Sequence, residues 1–158
     1  MNKILVFFSL MLLASSCTPG SEEVYMHSLN GLWPQKATQK FEFEIKENQT
    51  PKNIIFVVRN NNDYPYSNLR VFSKIYPEGQ PQAKTDTLNY LLARPNGEWI
   101  GKGFGDTKEI RFQYKIQHRF PKNGRYVIEV QHAMRRDTLR GIEDFGIKIE
   151  SAKSQNGE

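Results

Sequence analysis

Cysteine is nearly absent from this chain: there is one in 158 residues, at position 17. No intrachain disulfide can form, so a folded domain must hold itself together by core packing. Long apolar runs are almost as scarce. The longest, Ile4 to Ala14 broken only by Ser9, is eleven residues, whereas a membrane-spanning helix needs about 20. Histidine is limited to His27, His118 and His132, and no two of them share the short spacing of a zinc site. There is no Gly-x-Ser-x-Gly elbow, and no Ser, His and Asp fall in a pattern that sequence can recognise as a triad. Carboxylate pairs for glycoside cleavage meet in space rather than in sequence, and nothing singles any out. The glycines from Gly101 to Gly105 lack the Gly-Lys-Ser/Thr of a phosphate loop and the strand and helix of a dinucleotide fingerprint. No catalytic residue, metal ligand or cofactor is therefore expected. Charge of one sign is not concentrated either: the formal net charge is +5, and strand-like stretches such as Lys40-Phe41-Glu42-Phe43-Glu44-Ile45-Lys46 mix both signs. Nucleic-acid binders gather basic residues on one face, so no nucleic acid partner is expected.

What is present begins at the N-terminus. Lys3 supplies a positive start, the apolar run follows, and the small pair Ser15-Ser16 precedes Cys17. This arrangement resembles a bacterial lipobox, in which the signal is cut just before the cysteine and the thiol becomes a diacylglyceryl thioether. The usual Leu three residues before the cysteine is replaced here by Ala14, with Leu13 one place earlier. Residues 1–16 are accordingly expected to be a cleaved signal peptide, and 17–37 the lipidated cysteine with a linker into the domain. Residues 38–150 are expected to form the folded domain and 151–158 a disordered tail. Loss of Lys3 with the signal leaves 21 basic against 17 acidic residues. The remaining length suits one domain. Thr18 to Glu23 is small and polar, as a tether should be, and its Ser21-Glu22-Glu23 resembles the acidic tags that export some lipoproteins to the outer face of the outer membrane.

From Gln39 onward the chain reads as strands. Phe41, Phe43 and Ile45 alternate with charged residues, the period-two pattern of a sheet with one dry face. Ile54 to Val58 is an unbroken apolar run suited to a central strand. Leu69, Val71, Ser73 and Ile75 share one face of the next strand; Leu88, Tyr90 and Leu92 align on a short one. Ile110, Phe112, Tyr114 and Ile116 form another set, Tyr126 to Met134 another, and Phe145 to Glu150 the last. No apolar spacing of three and four is long enough for a helix. Seven or eight short strands separated by turn signals predict an all-β, antiparallel two-sheet β-sandwich, immunoglobulin-like or jelly-roll-like.

Two tryptophans stand beside turns, Trp33 in Asn30-Gly31-Leu32-Trp33-Pro34 and Trp99 in Asn96-Gly97-Glu98-Trp99-Ile100. A loop-borne Trp either caps an open end of the core or serves as a contact platform. The loop 96–106 interleaves four glycines with Trp99, Ile100 and Phe104, so it is expected to be ordered, with Trp99 turned inward and the Lys102 and Phe104 tip outward. Trp33, Trp99, Lys102 and Phe104 are the candidate partner contacts.

The lipoprotein signal, Tyr64-Pro65-Tyr66-Ser67-Asn68-Leu69, Asp86-Thr87-Leu88, Asn96-Gly97-Glu98-Trp99-Ile100-Gly101-Lys102-Gly103 with Gly105-Asp106, and Gln131-His132-Ala133-Met134-Arg135 leading to Gly141-Ile142 together resemble the gliding motility lipoprotein GldH family. His132 interrupts the Gln-Ala-Met-Arg run of that pattern. The resemblance covers nearly the whole mature chain. It implies a non-enzymatic lipoprotein, anchored by lipid in the cell envelope of a Gram-negative bacterium, with the outer membrane as the expected location. Such a protein acts with other envelope proteins of gliding motility and type IX secretion. It brings no catalytic residues with it. A rival reading from the residues themselves is a carbohydrate-binding envelope lipoprotein, with Trp33, Trp99, Tyr64 and Tyr66 as stacking faces.

Each buried methylene contributes about 0.8 kcal/mol, so the two or three acyl chains of a mature lipoprotein make attachment effectively permanent. Cys17→Ser is expected to release the domain from the membrane fraction or to leave an unprocessed precursor. Fractionation followed by mass measurement checks it, and a fully processed variant still in the membrane would refute attachment through Cys17.

Overall fold

The computed structural model describes residues 22–153; the signal segment, Cys17, residues 18–21 and the end of the expected tail lie outside the described residues. Alternation becomes strand where one face is dry. In β3 (Gln39–Ile45) Phe41, Phe43 and Ile45 are buried while Lys40, Glu42 and Glu44 are exposed. β4 (Lys52–Asn60) follows with Ile54, Phe56, Val57 and Val58 all buried, and β5 (Asn68–Pro77) buries Leu69, Val71 and Ser73. β6 (Asp86–Leu91), β7 (Lys108–His118), β8 (Gly124–His132) and β10 (Ile142–Ser151) complete the large strands, with the short β9 (Thr138–Arg140) just before the last.

Two strands lie where a linker was expected. β1 (Glu23–Ser28) pairs antiparallel with β10 from Glu23↔Ile149 to Ser28↔Asp144, and β2 (Leu32–Pro34) pairs with β9. The domain therefore starts at residue 23 rather than 38. β1 is an edge strand with no fully buried residue, so it shows no alternation for a sequence reading to find. At the other end β10 runs to Ser151, and the Ala152 N–H donates to the Pro51 carbonyl (2.8 Å), carrying order past the expected limit of 150.

All the pairings are antiparallel, and the strand orders are β1-β10-β4-β7 in one sheet and β3-β8-β5-β6 in the other, with β2-β9 as a separate ribbon. Successive large strands alternate between the sheets except at the β5–β6 hairpin. That is jelly-roll order, the second of the two expected sandwich types. The sheets meet face to face through aromatic rings: Phe41 of β3 lies 6.2 Å from Phe145 of β10, and Phe56 of β4 lies 6.2 Å from Tyr90 of β6. Tyr90 also stacks on Phe112 of β7 at 4.4 Å and donates to the Gln113 carbonyl at 3.2 Å, which closes the side where the two sheet edges lie open.

Strand direction defines two poles. β1 starts, β10 ends, β4 starts and β7 ends at one of them, shown by Glu23↔Ile149, Lys52↔Ser151 and Lys52↔His118. We call this the entry pole. The opposite, loop pole gathers the connections 29–38, 61–67, 92–107 and 133–141.

One side chain departs from its expected face. Ile116 should lie inward with Phe112 and Tyr114, yet it is 49% exposed. The β4–β7 register slips between Lys52 and Ile54 and again between Ile54 and Ile55, and Gln117 adopts φ 50°. A bulge of this kind re-aims the next side chain.

His132 continues the inward register of β8 and is completely buried, edge-on to Trp33 at 5.5 Å. Neither ring nitrogen has a partner at hydrogen-bonding geometry. Burial pushes its pKa below the ordinary 6.5, opposed by the Trp33 backbone. The unfolded chain thus binds a proton more readily than the folded one, so stability is full above that value and declines as pH falls through and below it. Thermal melts from about pH 7 to pH 5 should show this decline, and His132→Leu should flatten it. Part of the slope should remain, because burial also lowers the pKa of His118. An unchanged slope in His132→Leu would mean that the buried imidazole contributes nothing to it.

Candidate functional site

Four connections meet at the loop pole and are tied to one another. Asn61 N–H donates to the Gly141 carbonyl (2.9 Å), Gly141 N–H to Gly31 (2.9 Å), and Leu29 N–H to Glu143 (2.7 Å). The Asn61 side-chain amide also donates to the Glu143 carboxylate. Gly141 sits at φ +81° with the Tyr64 backbone directly against it, leaving no room for a Cβ.

The loop 92–107 is braced on both flanks by antiparallel bridges, Ala93↔Trp99 and Lys102↔Glu109. Lys102 and Glu109 exchange backbone hydrogen bonds at 2.9 and 2.8 Å. A Cβ on Gly101 would come within 2.8 Å of the Glu109 carbonyl, and one on Gly103 would collide with the Thr107 carbonyl. These glycines are required by close backbone approach, so their presence makes the loop tighter rather than looser. Lys108 Nζ caps the tip by donating to the Gly105 carbonyl at 2.7 Å.

Trp99 lies half-buried against the core, 6.5 Å from Tyr64, and its indole N–H donates to Asn62 Oδ1 at 3.0 Å. Asn62 reaches the same loop again through Asp106 Oδ1 at 3.0 Å. Beyond it Lys102 is exposed, Ile100 keeps about a third of its surface, and Phe104 stands wholly in solvent. The inward Trp99 and outward Lys102 and Phe104 are placed as their sequence suggested.

Trp33 is not at the surface. It pairs with Leu139 on the β2–β9 ribbon, is completely buried, and packs 5.1 Å from Phe145 with its indole N–H donating to the Ala37 carbonyl (2.9 Å). Buried and with its indole N–H satisfied inside, it offers no surface to a partner, and the candidate contact set narrows to Trp99, Lys102 and Phe104. Tyr64 is buried too, its hydroxyl donating to the Asn68 carbonyl at 2.7 Å. The four rings named for sugar stacking therefore do not share a face: only Trp99 and Tyr66 keep part of a surface.

Sequence reasoning missed the polar partners that fix this pole. Asn61 and Asn62 were visible only as a break between strands, and Arg136, whose Nε donates to Tyr66 Oη at 3.2 Å, carried no signal. Among the described residues no group of three or more His, Cys, Asp or Glu is placed to hold a metal ion. His27 instead stacks on Phe41 at 4.4 Å, and His118 packs edge-on to Phe120 at 4.7 Å.

Partial burial sets the expected energies. Trp33→Ala should cost about 3–5 kcal/mol, the range for a fully buried ring, and Trp99→Ala about 1–3 kcal/mol. Phe104→Ala should stay within about 0.5 kcal/mol, as substitutions away from packed features do. Denaturant unfolding of the three variants reads this order directly; a Phe104→Ala loss as large as that of Trp99→Ala would show that the tip packs rather than projects.

Comparison with known proteins places the fold and this loop pole in a family. The family model described as GldH lipoprotein matches residues 22–149, which is the sandwich from β1 through β10. A protein of Christiangramia forsetii, "Gliding motility lipoprotein GldH homolog", is 35% identical over 161 residues, covering 97% of this chain and 96% of its own. "Gliding motility lipoprotein GldH" of Flavobacterium johnsoniae is 32% identical, covering 78% and 80% respectively. Among solved structures, infectious bursal disease virus Gx strain aligns with 86% of this chain and 33% of its own at 12% identity and a TM-score of 0.34. The matched span and the two relatives agree, and the chain belongs to the GldH lipoprotein family.

Proposed function

We propose that this chain is a non-enzymatic lipoprotein of the gliding motility apparatus, held in the outer membrane by lipid on Cys17 and acting with the type IX protein secretion machinery. The observation that carries the reading is the family match across the whole sandwich, together with two relatives named for gliding motility. A second observation supports the non-enzymatic part. Several carboxylates beside the surface clefts are paired with lysines, Glu22 and Glu150 with Lys148, Asp86 with Lys115, and Glu129 with Lys40 and Lys74. Burial alone would raise the Glu129 carboxyl, but hydrogen bonds from Tyr76, Lys74 and Lys40 outweigh it and hold the pKa down to about 2. Such a group is an ionised brace rather than a proton donor.

In this reading the braced Trp99–Phe104 loop is the contact with a neighbouring envelope protein. Aromatic groups are among those that anchor protein contacts, and a rigid presentation lowers the ordering cost of binding.

Deleting the gene should abolish surface spreading and change the profile of secreted proteins; in a non-motile host only the second readout applies. The double variant Lys102→Glu/Phe104→Ser should reach the membrane at the normal level and fail to restore either. Full restoration by that variant removes the loop from the proposal, and a deletion that alters neither property removes the proposal itself.

A further inference from the structure

The entry pole combines a short reach to the anchor with a surface that ordinary strand packing would not produce. Six Cα–Cα steps separate Cys17 from the start of β1 at Glu23, a span of at most about 20 Å when fully extended. The pole is thus held beside the surface that the Cys17 lipid enters. The ten residues of β10 reach this pole from the opposite one, roughly 33 Å at strand rise.

At the entry pole the β7 bulge turns Ile116 outward, and it does so through a positive φ at Gln117, which is uncommon for a non-glycine residue. Asn53 Oδ1 locks that turn by accepting from the Gln117 N–H at 3.0 Å. The exposed Ile116 lines a cleft with Glu22 and Lys153, where the chain leaves toward Cys17. An apolar side chain re-aimed to this spot by a strained and braced backbone is a feature that packing of the sandwich does not need.

Charge points the same way. Lys46, Lys84, Arg119, Lys122 and Lys153 are exposed at this end and stand in no ion pair among the described residues. Among the acids around them Asp86 is paired with Lys115, Glu78 shares Arg125 with Glu42, and Glu22 and Glu150 share Lys148, while Glu23 accepts only from the Tyr25 hydroxyl and keeps its charge. Glu44 and Glu47 are left on the side where β3 meets β4. Basic side chains within a Debye length of an anionic bilayer are attracted to it.

We infer that the entry pole rests directly on the bilayer, with Ile116 in the headgroup region and these lysines and arginine facing anionic phospholipid, so that the Phe104 loop points away from the membrane. The inference rests on lipid attachment at Cys17. It fixes the side from which a partner reaches the loop.

The full lipidated chain suits the test, because Cys17 is its sole cysteine and is acylated, so one added cysteine is labelled alone. Ile116→Cys, Lys122→Cys and Phe104→Cys each carry an environment-sensitive fluorophore and are reconstituted into vesicles of phosphatidylethanolamine and phosphatidylglycerol containing headgroup spin-labelled lipid. Labels at 116 and 122 should shift to the blue and lose emission to the quencher, while the label at 104 is unchanged. Replacing phosphatidylglycerol by phosphatidylcholine should weaken the effect at 122. On vesicles that carry the protein through flotation, labels at 116 and 122 as unquenched as 104, or quenching at 104 alone, overturn the orientation and leave the anchor standing. Protein that does not float overturns both.

Discussion

Phe145 is the contact on which both sheets and the loop pole depend. Its ring lies 5.1 Å from Trp33, 5.3 Å from Phe56 and 6.2 Å from Phe41, joining the β2–β9 ribbon, the central strand β4 and the facing sheet at one point. Without a disulfide, nothing covalent holds these parts together, and rings of this size contribute roughly 1.5 to 3 kcal/mol each when fully buried. Trp33 transmits that packing upward: it draws the ribbon onto the core and covers His132. From the ribbon the hydrogen bonds of Gly31, Gly141 and Asn61 carry the constraint across to the 61–67 connection. Asn62 passes it on to Trp99 and Asp106. The exposed tip at Phe104 is therefore positioned by a chain of contacts that begins in the core.

This chain of contacts also explains which parts of the fold were legible. β3 and the first half of β5 have one dry and one wet face, so alternation of Phe41-Phe43-Ile45 and Leu69-Val71-Ser73 marks them without any knowledge of their partners, while in β8 the Tyr126-Ile128-Val130 series is legible although Val127 on the other face is buried as well. β2 and β9 have three residues each, too few to show a period. The two tryptophans have similar local settings, each shortly after an Asn-Gly pair, and their fates separate only through distant partners: Leu139 and Phe145 for Trp33, Asn62 and Tyr64 for Trp99. Ile116 is the reverse case, since its local pattern is clear and a bulge overrides it. Bulges arise from a mismatch between two strands, and one strand's sequence does not contain the mismatch. The candidate site was legible in its apolar members and silent in its polar ones, because Asn62, Asp106, Tyr66 and Arg136 acquire meaning only when three separate loops converge.

The two poles carry different chemistry on one rigid body. A jelly roll sends its connections alternately to opposite ends, so elaborating the 92–107 loop does not disturb the end where β1 enters and β10 leaves. The glycines at 101 and 103 show how that elaboration is stabilised. They let the outgoing arm of the loop lie directly against the backbone of β7, extending the sheet edge into the loop instead of leaving a free excursion. A mobile tip bearing one phenylalanine would lose much of its contact energy to ordering on binding; a braced tip has met that cost during folding. Rigidity has a consequence for recognition as well. In the contact proposed above, a tip that does not repack would require a recess matched to Phe104 with a group complementary to Lys102 beside it. Discrimination then comes from the shape and charge of that recess, since a wrong partner cannot be accommodated by loop movement and must leave either the ring exposed or the lysine unpaired.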